Sequence, residues 1–115
     1  MIENVQSVGK AGDHRFAVVI PTYNHGGRVA AVAREALALG WPVFVVDDGS
    51  TDDTVEKLRM VAGLHVIRHA VNRGKGAALI SGMRHAAKVA DYAIAMDADG
   101  QHDPADAHRL AAASM

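Results

Sequence analysis

Residues 16–27 read "FAVVIPTYNHGG", a continuous apolar, β-branched run that passes through a polar turn into two glycines. Unbroken hydrophobicity, rather than alternation, indicates a strand buried on both faces, as parallel sheets require. The stretch that follows, 26–40, sets Val29, Val32, Ala33, Ala36 and Leu37 at helical spacing and closes at Gly40. Buried strand, short polar loop and amphipathic helix make up the repeating unit of a sheet covered on both faces.

The unit recurs along the chain. "PVFVVD" (42–47) repeats the buried-strand pattern. "DGSTDDTVEKLRMVAG" (48–63) predicts a helix after a turn at Gly49, with Ser50 or Thr51 as its cap. Asp52 and Asp53 are expected in its first turn, where carboxylates complement the helix dipole. "LHVIRH" (64–69) reads as a more mixed strand, and 74–90 as a helix opened by glycines with Leu79, Ile80, Met83 and Ala87 on one face. "YAIAM" (92–96) is the fourth strand, after which Asp103 caps a last helix begun by Pro104. Right-handed crossovers give an α/β fold, a three-layer α/β/α arrangement with a mostly parallel sheet. The expected order of these four strands is 3-2-1-4, with a ligand crevice between the first and fourth at their C-terminal ends.

Bulk properties narrow the field. The 115 residues suffice for one domain, expected over 16–115, with 1–15 as a flexible N-terminal arm. A net charge of −1, with Lys and Arg scattered, leaves no basic footprint and argues against a nucleic-acid partner. The absence of cysteine excludes disulfides and thiolate metal sites and suits a reducing compartment such as the cytoplasm. No apolar run approaches the roughly 18 residues of a transmembrane helix, and the first residues contain no apolar signal-peptide core.

Each predicted strand runs at once, or nearly so, into a polar or glycine-rich cluster: "PTYNHGG", "DDGST", "NRGKG" and "DADGQHD". In a parallel sheet all four fall on one edge, and four together describe a binding site better than four independent turns. Taken singly, each keeps an ordinary alternative. Asp97 and Asp99, two apart in an extended turn, can converge on a hard divalent cation with Gln101 as a further oxygen ligand; alternatively they end a strand and shape a turn. Asp47 and Asp48 can accept hydrogen bonds from a ribose hydroxyl or a base N–H, or simply form a turn. "NRGKG" matches neither Gly-rich phosphate-binding pattern, yet sets backbone N–H groups, Arg73 and Lys75 at a helix N-terminus, where an anion fits as well as a capping loop does. "PTYN" offers Tyr23 to a flat base and Thr22 to a phosphate, or is only a strand end.

Together "VVIPTYNHGG", "VVDDGSTDDT", "NRGKGAALISGM" and "MDADGQHDP" resemble the nucleotide-sugar-binding half of family 2 glycosyltransferases of the GT-A fold, in particular the dolichyl-phosphate mannose synthase type. The resemblance covers about residues 16–110. It implies transfer of a sugar, with inversion, from a UDP- or GDP-sugar to an acceptor such as a polyprenyl phosphate or another glycan or lipid. It places Pro21, Thr22 and Tyr23 at the nucleobase, Val46 and Asp48 at base and ribose, and Lys75 near the nucleotide. Asp97, Ala98 and Asp99 form the D-x-D element, with Asp97, Asp99 and Gln101 on Mg²⁺ or Mn²⁺. A cytoplasmic location at the inner face of a membrane goes with such an acceptor.

Two departures accompany the resemblance. Many relatives have a glutamate after "PTYN" where this chain has His25. They also continue for another hundred residues or so, with the acceptor site, so the chain is expected to be a truncated donor-binding half. An open edge at the fourth strand would favour a homo-oligomer. Two other readings stand beside this one: a non-catalytic nucleotide- or metal-binding module, and a phosphoacceptor receiver domain. A receiver also has an acidic pair and a later aspartate, but its pair follows the first strand.

Overall fold

A computed structural model describes residues 2–8 and 14–98. Its elements run β1 (Ile2–Ser7), β2 (His14–Thr22), α1 (Gly26–Leu37), β3 (Val43–Asp47), α2 (Thr54–Arg59), β4 (His65–Arg68), α3 (Lys75–Ala86) and β5 (Ala90–Met96). The sheet order is β1-β5-β2-β3-β4. The four strands expected from the sequence are β2, β3, β4 and β5, and they lie in the expected order, parallel throughout.

β1 is the correction. Residues 2–7, expected in a flexible arm, pair antiparallel with β5, from Ile2 opposite Met96 to Ser7 opposite Tyr92. The edge of β5, thought to be open, is therefore covered, and β1 is the edge strand on that side. An antiparallel edge strand needs no crossover helix and little apolar content, so "IENVQS" lacks the signal that marks the buried strands.

Strand alternation sorts the core into two halves. Phe16, Val18 and Ile20 of β2 and Val43 and Val45 of β3 pack with Val29, Val32, Ala33 and Ala36 of α1 and Leu58 of α2. Ala17, Val19, Phe44 and Ala93 point the other way, toward Leu79, Met83 and Ala86 of α3. Each fully buried valine or leucine contributes about 1.5–3 kcal/mol, so these two layers hold the strand ends in place. α3 lies very close to the sheet: a Cβ added to Gly82 would stand 2.3 Å from Val19 Cγ1 and 3.1 Å from Val46 Cγ2. Only glycine permits that approach without repacking.

α2 is shorter than its sequence suggests. Asp52 and Asp53 precede it rather than filling its first turn, and neither Ser50 nor Thr51 is its cap. Asp52 Oδ1 instead accepts hydrogen bonds from Thr54 N, at 2.9 Å, and from the Thr54 hydroxyl. The helix expected from Pro104, with Asp103 as cap, lies outside the described residues.

Candidate functional site

β2 is the strand from which the chain leaves in both directions, to β3 on one side and β5 on the other. Crevices form at such points, beyond the C-terminal strand ends. One of about 610 Å³ opens there, walled by Pro21, Thr22, Tyr23 and His25 from the end of β2, Asp48 after β3 and Asp97 and Ala98 after β5; Asn72, Gly74, Lys75 and Ala78 close the remaining side.

Asp48 is the most heavily engaged of these residues. Its Oδ1 accepts from His69 Nδ1 at 2.8 Å and Arg73 N at 2.9 Å, and its Oδ2 from Gly74 N at 2.8 Å. Asn72 Nδ2 donates to its backbone oxygen at 3.3 Å. Burial acts to raise the pKa of this carboxyl, but the bond from His69 and the two backbone amides together outweigh it and hold the group below the ordinary carboxylate range. The aspartate therefore ties the loop before α3 to the end of β3, as a carboxylate. His69 is buried as well, and its Nε2 lies 2.8 Å from Ser81 Oγ on α3.

Asp47 is placed differently. Following the alternation of β3, it shares the α1 side with Val43 and Val45, and it is fully buried. Among the described residues, neither of its carboxylate oxygens has a hydrogen-bond partner, and nor has Oγ1 of Thr22, the residue opposite it on β2. Arg68 sets its Nε 3.7 Å from Asp47 Oδ2. Asp47 and Asp48 share no partner, so they do not form the joint acidic pair that a receiver-like site would need.

At the other wall, Lys75 in the first turn of α3 sets Nζ 3.0 Å from Asp97 Oδ1. Both side chains are partly exposed, so the pair adds little to stability. Its consequence is spatial: an ammonium and a carboxylate face one another across the cleft, one suited to phosphate and the other to a cation.

The rim is built from three loops held together. Asn24 adopts a left-handed conformation with φ 54°, which short polar side chains tolerate. Its Oδ1 accepts from Thr51 N at 2.9 Å and Asp52 N at 3.3 Å, while its own N–H donates to Ser50 Oγ at 2.9 Å. Gly49, at φ 78°, lets the turn after β3 press on the third loop, for a Cβ there would stand 2.5 Å from Asn72 N and Val71 C. The Thr54 hydroxyl, opposed by partial desolvation and helped by the Thr54 and Gly26 amides, holds the Asp52 carboxyl below its usual range.

The structure thus brings together Pro21, Thr22, Tyr23, Asp48, Lys75, Asp97 and Ala98 from the sequence-predicted set. Val46 does not reach the cleft: it is fully buried against α3, opposite Gly82. Asp99 and Gln101 lie outside the described residues. Asn72, Gly74 and Ala78 line the site without having been singled out, although Ala78 lies one helical turn beyond Lys75. His69 and Ser81 gave no sequence signal, because their partners are 21 and 12 residues away.

Residues 17–114 match the model of glycosyl transferase family 2. Over 109 residues, 85% of this chain, it is 34% identical to the undecaprenyl-phosphate 4-deoxy-4-formamido-L-arabinose transferase of Salmonella choleraesuis (strain SC-B67), and equally to that of Salmonella paratyphi B. The match spans 33% of each relative, so the chain corresponds to about a third of their length. Among solved structures, glucosyl-3-phosphoglycerate synthase from Mycobacterium tuberculosis, in complex with Mn²⁺, UDP and glucosyl-3-phosphoglycerate, superposes with a TM-score of 0.70 at 26% identity, covering 87% of this chain and 39% of that one. The parallel sheet, the cleft at its switch point and this family match agree, and the chain belongs to glycosyl transferase family 2.

Proposed function

We propose that this chain is the donor-binding part of an inverting glycosyltransferase that takes a sugar from a UDP- or GDP-sugar and delivers it to a polyprenyl phosphate. The observation that supports it best is the convergence of Tyr23, Asp48, Lys75 and Asp97 on one cleft. Tyr23 is 42% exposed there, an aromatic surface available to a flat base. A carboxylate offers about four acceptor sites. Three on Asp48 are taken by His69, Arg73 and Gly74, which leaves Oδ2 one. A group that can only accept favours a base edge that donates. Uracil and guanine present a ring N–H at that edge, whereas cytosine presents a lone pair.

Lys75 is positioned to take a phosphate oxygen, and its present bond to Asp97 keeps it pointed into the cleft. Asp97 supplies the hard oxygen that Mg²⁺ or Mn²⁺ prefers, and Asp99 and Gln101 are the proposed further ligands. Such an ion, when bound, stabilises negative charge on the departing diphosphate. A polyprenyl phosphate is already an anion and needs no base to become a nucleophile. Its lipid tail places the reaction at the inner face of a membrane. Among the described residues no helix is long and apolar enough to cross one.

The test is thermal unfolding with nucleotides and Mn²⁺. UDP at about a hundred times its Kd stabilises by about 2.7 kcal/mol, a rise of several degrees in Tm, and CDP at the same concentration gives much less. Asp99→Ala keeps the unliganded Tm and removes the Mn²⁺ dependence. No shift with either UDP or GDP at millimolar concentration rejects the donor-site reading.

A further inference from the structure

His69 and Ser81 lie behind Asp48, away from the lining of the cleft, and take no part in the reading above. His69 sits with Nδ1 2.8 Å from Asp48 Oδ1 and Nε2 2.8 Å from Ser81 Oγ, and its backbone N–H donates to Asp47 O at 2.9 Å. It is 7% exposed. Ser81 projects from α3, the helix that Gly82 allows to lie against β2 and β3. The imidazole therefore bridges a strand end and a helix whose separation is fixed by packing.

The connectivity sets the tautomer. Asp48, an ionised carboxylate, can only accept, so the hydrogen in the first bond belongs to His69 Nδ1. In the neutral ring Nε2 is then an acceptor, and the Ser81 hydroxyl donates to it. The series carboxylate, imidazole, hydroxyl has the order of a nucleophilic triad. Ser81, however, is not among the residues lining the cleft, whereas Asp48 is. The series is therefore directed from α3 toward the carboxylate.

We infer that His69, fixed as its Nδ1–H tautomer by Asp48 and held in place by Ser81, is the positioning residue that aims Asp48 at the donor's nucleobase. The inference rests on the donor-site reading above. Without His69, Oδ1 keeps only the Arg73 amide and Oδ2 only the Gly74 amide, and the carboxylate is held less tightly about its Cβ–Cγ bond. The free oxygen site on Oδ2 then no longer points at a fixed place in the cleft. His69 and Ser81 thereby act on nucleotide affinity without touching the nucleotide.

Two measurements test this on the 115-residue chain. The first is ¹⁵N NMR of the histidine side chains without nucleotide. The inference requires a protonated Nδ1 and an unprotonated Nε2 at His69, with the pattern collapsing toward a tautomer mixture in Asp48→Ala. A protonated Nε2 with a bare Nδ1 overturns it. The second is UDP affinity in the presence of Mn²⁺ for three variants. In His69→Asn the side-chain amide stands near the Nδ1 position and can still donate to Asp48, so affinity stays within about threefold of the parent. In His69→Gln the amide reaches toward Ser81 instead, and affinity falls by about tenfold, as expected for one lost hydrogen bond to a charge. His69→Ala falls at least as far. A purely structural histidine would make the Asn and Gln variants bind equally, and that result overturns the inference. Failure of the parent chain to bind UDP rejects the donor-site reading instead, and the tautomer measurement still decides whether the relay exists.

Discussion

Asp47 and Asp48 are consecutive and chemically identical, and the fold treats them in opposite ways. Asp48 is nearly buried but receives three hydrogen bonds, and its carboxyl is held below the ordinary range. Asp47 is fully buried, and among the described residues its oxygens have no hydrogen-bond partner, with Arg68 Nε 3.7 Å from Oδ2. One residue of displacement at a strand end turns the side chain to the other layer. On the α3 side it meets a loop rich in backbone donors, and on the α1 side it meets apolar packing. An acidic dipeptide is thus two different sites, one a hydrogen-bonded carboxyl at the cleft, the other a carboxyl packed into the α1 side.

The sharpest way to break this contrast is Asp48→Ala. It strands the Arg73 and Gly74 amides and His69 in a buried setting, and the expected cost is about 3 kcal/mol in urea denaturation. The pH dependence should follow the same residue. Its folded pKa lies below the ordinary 3.8, so the carboxylate contributes stability that is complete above that value. It is lost as pH falls through the lowered pKa. Asp48→Asn should flatten that part of the acid unfolding curve, whereas Asp47→Asn should leave it in place.

Next in size is Gly82→Ala, which tests the closeness of α3 rather than the charge. The added methyl group must displace Val19, at an expected cost of about 1–3 kcal/mol, together with a weaker affinity for UDP as Ser81 moves. The smallest effect is expected at Asp47. Replacing a buried carboxyl group that has no hydrogen bond among the described residues should be neutral or stabilising, so Asp47→Asn should raise the urea midpoint by an amount equivalent to about 1 kcal/mol or less. A strong loss of stability there would mean that Arg68 supports Asp47 far better than a 3.7 Å contact to a half-exposed side chain suggests.

The parts legible in the sequence are those in which local pattern and burial coincide. "FAVVIP", "PVFVVD" and "YAIAM" are apolar without alternation because both of their faces are covered, and this alone yields the parallel core and its strand order. β1 escaped because an edge strand paired on one side needs no such pattern. The described parts of the four polar clusters share the sheet edge at which the cleft opens, since strand direction decides that edge. Val46 was misplaced for a geometric reason: it precedes Asp48 by two residues, but its side chain is consumed in packing α3. His69 was invisible because nothing near it in sequence is its partner, and a lone histidine at a strand end looks the same whether or not a carboxylate waits behind it.

The joining of the three rim loops has a thermodynamic consequence. Asn24 fastens the first loop to the second, Gly49 lets the second rest on the third, and Asp48 fastens the third back to β3. Ordering a free loop when a ligand arrives costs conformational entropy at each residue fixed. Here that entropy has already been surrendered during folding. A nucleotide entering this side of the cleft would keep nearly all the free energy of its contacts, and its binding should show only a small entropic penalty from the rim.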